Sequence, residues 1–246
     1  MYSISYIEIM DTYYDIGFQS NELEYKHSIH DFLVWYYFIK QNGEIDMTIL
    51  YEVHNNLYVN MTNRCPCACT FCLRQTRDEM ENSGSLWLER EPTVEEVKAE
   101  FEKFDLNKYG EVVFCGFGEP TERLYDVLEV AEFVKEKYNK PTRINTNGLS
   151  DCIYGKDTAP LFKDKIDTVS ISLNTPDKKR YFELTRSKFG LESFDKMLKF
   201  AGNVKKYVSN VILTTVETTI TKEEESQCRT ICDKLGVTYR IRPYED

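Results

Sequence analysis

The chain has 246 residues, 41% apolar and 29% charged, enough to bury a full core as one α/β barrel or as two small domains. Its formal net charge of −10 argues against nucleic acid or anionic membrane as general partners. The longest apolar run, Phe32 to Ile39, is 8 residues, against the roughly 20 needed to cross a bilayer.

The first residues, Met-Tyr-Ser-Ile-Ser-Tyr-Ile-Glu, lack the basic start and the small-residue cleavage site of a secretory leader, so a cytoplasmic location is expected. In that reducing compartment eight cysteines read as metal ligands and buried small hydrophobes, not as disulfides. Residues 1–46 form an acidic, aromatic-rich extension, with eight acids against two lysines and with Tyr13, Tyr14, Phe32, Trp35, Tyr36 and Tyr37. A helix is expected over Ser28–Lys40, with Ser28 as N-cap, Asp31 in its first turn and Gly43 past its end. The extension either packs on a core or caps a partner or substrate. Met47 is an alternative start, and the main domain is expected over 47–246.

From residue 48, strand Ile49–His54, a turn at Asn55-Asn56 and strand Leu57–Thr62 run directly into a group of cysteines. Strand and helix alternate after that. The capping box Thr93-x-x-Glu96 opens a helix carrying Val94, Val97, Phe101 and Phe104 on one face. Strand Glu111–Cys115, a helix over Thr121–Tyr138 and strand Thr142–Asn147 follow. Next come strand Asp167–Asn174, helices over Pro176–Thr185 and Ser193–Val204, and strand Asn210–Glu217. A second capping box, Thr221-x-x-Glu224, opens a helix before the last strand, Val237–Arg242. The order predicts a parallel sheet with helical crossovers.

Strands buried on both faces should be apolar throughout. Here Arg143, Asn145 and Asn147 alternate with Ile144; Ser170, Ser172 and Asn174 alternate with Val169, Ile171 and Leu173; Arg240 and Arg242 alternate with Tyr239 and Ile241. The apolar face must meet helices and the polar face must line an interior. The expected fold is an incomplete (β/α)6 TIM-like barrel enclosing a cavity.

Ligands collect at the C-terminal ends of parallel barrel strands. The segment Asn63-Arg-Cys-Pro-Cys-Ala-Cys-Thr-Phe-Cys72 lies there, as do Gly116-Phe-Gly-Glu119, Asn145-Thr-Asn-Gly148 and Ser170 to Asn174. Cys65, Cys69 and Cys72 offer three thiolates, and an iron–sulfur cube held by three protein sulfurs keeps one iron open to a non-protein ligand.

With Cys65-x3-Cys69-x2-Cys72, Phe71 before the last cysteine, Gly116-Phe117-Gly118-Glu119-Pro120 in place of a Gly-Gly-Glu motif, and six-fold β/α order, residues 48–246 resemble the radical S-adenosylmethionine (radical SAM) superfamily. The cysteine loop is most similar in wording to the TatD-associated radical SAM group. The resemblance implies a [4Fe–4S] cluster on Cys65, Cys69 and Cys72, with S-adenosylmethionine chelating the fourth iron. It also implies reductive cleavage to a 5′-deoxyadenosyl radical that abstracts hydrogen from an unidentified substrate, small molecule or peptide, with a low-potential donor such as flavodoxin or ferredoxin. Carbonyls around Gly116, Phe117 and Gly118, with the Glu119 side chain, would receive the ammonium of S-adenosylmethionine. Asn147, Ser172 and Asn174 would meet its ribose, and Arg186, with Arg143 as substitute, its carboxylate.

Cys67 is an extra thiol inside the motif, and spacing alone leaves it open as a ligand; the superfamily pattern favours Cys65, Cys69 and Cys72. Cys115 and Cys152 read as buried small side chains, and Cys228 and Cys232 fall with Ile231 and Leu235 on an apolar helix stripe. The glycine and Asn-Thr-Asn-Gly segments taken alone are turn signals, and His27, His30 and His54 have no ligand-like surroundings. Arg240 and Arg242 read equally as salt-bridge partners at the barrel mouth or as anion binders. Two other functions remain: an activase that generates a radical on a protein partner, and a zinc-binding structural protein, although zinc wants four ligands and no second pair sits nearby.

Overall fold

The computed structural model describes residues 47–81 and 83–244. The helix expected over Ser28–Lys40, the 1–46 extension, His27 and His30 lie outside them. Seven strands form one sheet in sequence order: β1 (Leu50–Val53), β2 (Asn56–Val59), β3 (Val112–Phe114), β4 (Thr142–Thr146), β5 (Thr168–Ser172), β6 (Asn210–Val216) and β7 (Thr238–Arg242). β1 and β2 pair antiparallel, and β2 to β7 run parallel.

Six α-helices among the described residues make the crossovers. α1 (Val94–Glu100) lies between β2 and β3, α2 (Leu124–Tyr138) between β3 and β4, and α3 (Ser150–Tyr154) between β4 and β5. α4 (Lys178–Thr185) and α5 (Ser193–Val204) separate β5 from β6, and α6 (Lys222–Leu235) separates β6 from β7. Both expected capping boxes form, at Thr93/Glu96 and Thr221/Glu224. Helix α3 was not expected, because five residues carry no apolar stripe; Asp151 Oδ1, accepting from Thr158 N at 2.8 Å, ties down the loop behind it.

The first turn falls one residue earlier than expected. Val53 pairs with Asn56, so His54 and Asn55 make the loop. His54 takes φ 52°, a positive value of the kind that two-residue hairpins demand. β2 also ends earlier, at Val59, where Asn60 bends away with its side chain amide bonded to Thr48 O and Leu86 O.

The outer sheet face and the helix stripes form one core that includes Leu57, Phe114, Ile144, Val169, Ile171, Leu213, Val127, Ala131, Met197 and Phe200. Burying each large side chain there contributes about 1.5–3 kcal/mol before entropy is counted. Cys228 and Cys232 sit in this core with no exposed surface, as expected, and burial pushes their thiols up to about 12 and about 11.

The sheet curls into an incomplete barrel. Laid flat at about 4.8 Å per strand, β7 would lie roughly 14 Å from β4 and 24 Å from β2. Yet Arg240 on β7 feels the charges of Arg143 and Glu111 and the hydroxyl of Tyr58, and Arg242 acts on Cys115 beside β3. The polar faces of β4, β5 and β7 therefore share an interior. No helix among the described residues is long and apolar enough to cross a membrane.

Candidate functional site

The cysteine loop is laced to the C-terminal end of α4 and the chain just after it. Ala68 N donates to Thr185 O, Thr70 N to Leu184 O and Lys188 N to Pro66 O, each at 2.9 Å. The loop's own carbonyls are held by side chains: Gln75 Nε2 donates to Cys69 O at 2.5 Å, and Arg74 Nη2 to Cys67 O at 3.4 Å. With the backbone fixed on both sides, the thiols gather between.

Cys65, Cys67 and Cys69 lie close enough on this loop to act on one another's titration. This proximity draws the Cys65 and Cys69 thiols below their ordinary value and pushes Cys67 above it. Cys67 is only 5% exposed. Burial raises Cys72, and the backbone and charge of Arg74 oppose that rise. Among the described residues no three Cys, His, Asp or Glu side chains are grouped so that they could hold a single metal ion.

The segment after β3 presses against this loop. A Cβ on Gly116 would lie 2.1 Å from Asn60 Oδ1, and one on Gly118 would lie 2.1 Å from Thr62 O and 2.8 Å from Arg64 O. Only glycine allows that approach, and it lets Glu119 N donate to Arg64 O at 2.8 Å. The Glu119 carboxylate, 4% exposed, accepts four hydrogen bonds. Oε1 takes Thr121 N at 3.0 Å and the hydroxyls of Thr121 and Thr146 at 2.7 Å; Oε2 takes Asn147 N at 2.7 Å. Burial pushes its pKa up, and those four donors oppose the rise. Oε2 keeps one free lone-pair direction, and the carboxylate joins the ends of β3 and β4.

Asn147 Nδ2 reaches Cys67 Sγ at 3.8 Å, so the end of β4 meets the cysteine loop. Ser172 closes β5, and Asn174 follows in the left-handed region at φ 64°, 7% exposed. Neither side chain has a hydrogen-bond partner among the described residues. Arg186 is the left-handed cap of α4, at φ 46°, and lies within the very segment that binds the cysteine loop. Its side chain is exposed. Phe71 is 42% exposed, while Phe117, 8% exposed, packs edge-on to Trp87 at 5.2 Å.

Several side chains differ from expectation. Arg143 is committed to Glu111 at 2.8 Å and to Asn145 Oδ1 at 3.2 Å. Arg240 and Arg242 make no ion pair among the described residues. Cys115 is not fully buried; it faces the interior beside Asn145, within the field of Arg143 and Arg242. Sequence reasoning missed Asn60, whose signal is only its position opposite Gly116, and Tyr58 and Glu111, which line the interior. An open depression of about 400 Å³ lies outside the barrel, lined by residues including Arg64, Glu91, Glu122, Arg123 and Asp126. Its charges pair with one another.

Residues 59–235 match the family model described as Radical SAM superfamily. A GTP 3′,8-cyclase of Corynebacterium glutamicum is 31% identical over 142 residues, which are 55% of this chain and 35% of that protein. Streptococcus suis SuiB bound to precursor peptide SuiA superposes with TM-score 0.58 at 17% identity, covering 97% of this chain and 51% of that one. A radical SAM methyltransferase from Sphaerobacter thermophilus gives TM-score 0.56 at 15% identity, over 79% and 57% of the two chains. The chain thus spans about a third of the curated relative and about half of each solved structure. The family match covers the cysteine loop, the glycine segment and four of the six parallel strands, β3 to β6, and the chain belongs to the Radical SAM superfamily of enzymes.

Proposed function

We propose that this protein binds a [4Fe–4S] cluster through Cys65, Cys69 and Cys72 and uses S-adenosylmethionine to abstract hydrogen from a substrate. The observation that carries the reading is that Cys65, Cys69 and Cys72 share one loop beyond the C-terminal end of β2, fixed by backbone hydrogen bonds to Leu184, Thr185 and Lys188. Thiolates, not thiols, ligate iron. When bound, the cluster and S-adenosylmethionine supply reductive cleavage of the sulfonium and a 5′-deoxyadenosyl radical.

The chain's own residues hold and shield. The backbone of Gly116, Phe117 and Gly118 and the remaining lone pair of Glu119 Oε2 offer acceptors for an ammonium. Asn147, Ser172 and Asn174 offer polar groups for a ribose, the last two with side chains that have no hydrogen-bond partner among the described residues. Arg186 offers a guanidinium for a carboxylate. It occupies a left-handed cap where glycine would be less strained by about 1 kcal/mol, and a costly residue with an unengaged side chain favours a ligand role.

A cytoplasmic location and a flavodoxin- or ferredoxin-like electron donor belong to the same proposal. The TatD-associated assignment rests on the wording of the cysteine loop alone. Anaerobic reconstitution followed by dithionite and S-adenosylmethionine tests the reading: 5′-deoxyadenosine should form, and its absence in iron-loaded protein would overturn it.

A further inference from the structure

We infer that the barrel interior holds a second binding site, an anion subsite in which Arg240 and Arg242 receive a phosphoryl group of the substrate. The inference rests on the enzyme reading above, since it names the substrate class of that same cavity.

Arg240 and Arg242 stand two residues apart on β7 and so share a face. Tyr239, between them, points the other way: its hydroxyl bonds Thr215 at 2.7 Å and Arg229 of α6 stacks on its ring. The arginines therefore face the interior. Arg240 Nη2 donates to Ser170 Oγ at 3.3 Å, and Arg242 makes no side-chain hydrogen bond among the described residues. The Nε atoms of both are buried without a partner. Leaving a charged donor buried and unpaired is costly, and two such donors side by side require explanation.

Charge sharpens the point. Arg143 is a third guanidinium in the same space, and Glu111 is the carboxylate paired with it. Arg143 is matched by Glu111, and the Glu119 carboxylate, which like Arg242 acts on Cys115, is already held by four donors. Arg240 and Arg242 are left without an ion pair among the described residues, in a chain whose net charge is −10. Burial, with repulsion from Arg143 and Arg242, already pushes the Arg240 pKa down. A phosphate monoester carries about −1.5 to −2 at pH 7, which would pair with these two arginines, and guanidinium forks suit phosphate oxygens. The Ser170 hydroxyl, beside Arg240, adds a further polar group.

Titration calorimetry on the full chain, reconstituted anaerobically, tests this with inorganic phosphate as the probe, and succinate and chloride at matched ionic strength. The variants are Arg240→Gln, Arg242→Gln and the exposed-site control Lys199→Gln. Saturable phosphate binding should occur in the parent and the control and weaken about tenfold or more in each arginine variant, as for loss of a charged hydrogen bond. Without phosphate, the variants should melt at or above the parent temperature, because a repulsive charge has gone. No saturable binding, undiminished binding in both arginine variants, tighter binding of succinate, or a lowered melting temperature would each overturn the proposal. Iron content separates the two readings: iron-loaded protein that forms 5′-deoxyadenosine but ignores phosphate defeats this inference alone, and phosphate-binding protein that takes up no iron defeats the cluster reading alone.

Discussion

Gly118 lies so close to Thr62 that an added Cβ would sit 2.1 Å from the Thr62 carbonyl oxygen. The obstacle is backbone, so no rotamer change relieves it, and relief requires moving the cysteine loop itself. Gly118→Ala should destabilise the fold by about 1–3 kcal/mol and sharply reduce iron bound per chain. Thermal melts and iron analysis check both; unchanged iron loading would show that the close approach is dispensable.

Glu119 joins β3 to β4 through four accepted hydrogen bonds. Glu119→Gln keeps the shape but replaces one acceptor oxygen with a donor facing other donors. A loss of about 2–3 kcal/mol is expected, the usual cost of a buried charged hydrogen bond broken on one side. Urea unfolding measures it.

Arg186 separates ligand binding from stability. Arg186→Gly should leave stability unchanged or raise it by up to about 1 kcal/mol, because glycine suits the left-handed cap. The same change should weaken S-adenosylmethionine binding about tenfold, as for loss of a charged hydrogen bond. Melting temperature and equilibrium binding measured together test the pair; a fall in stability with binding intact would assign Arg186 a structural role only.

The α1 capping box gives a pH dependence. Arg90 beside Glu96 holds its carboxyl at about 2 in the folded chain, against about 4.3 when unfolded. A depressed folded value means stability fully present above about 4.3 and lost as pH falls through that window toward about 2. The pair is more than a third exposed, so screening limits the effect to about 1 kcal/mol or less. Glu96→Gln should flatten the acid limb of stability between those values, and acid-titration melts of parent and variant will show whether it does.

Much of this was legible in the sequence because periodicity and caps are local. Thr93/Glu96 and Thr221/Glu224 announced their helices, and the alternation of Arg143, Asn145, Ser170, Arg240 and Arg242 announced an interior. What stayed hidden depends on contacts between distant segments. Nothing in Asn60 or Glu111 declares that one abuts Gly116 and the other neutralises Arg143. Cys67 could not be ranked by spacing; the fold buries it against Asn147 Nδ2 from the end of β4. The turn at His54-Asn55 was missed because cross-strand register, not residue preference, sets it.

Cys65, Cys69 and Cys72 are proposed to hold an iron–sulfur cluster open to S-adenosylmethionine. Iron, zinc and acid-labile sulfide should be counted in anaerobically reconstituted protein carrying Cys65→Ala, Cys69→Ala, Cys72→Ala or Cys67→Ala, with 5′-deoxyadenosine followed after reduction. Near-equal iron and sulfide with product formation are expected in the parent and in Cys67→Ala, and loss of both in the other three. One zinc per chain without sulfide, or loss of the cluster in Cys67→Ala alone, would contradict that assignment.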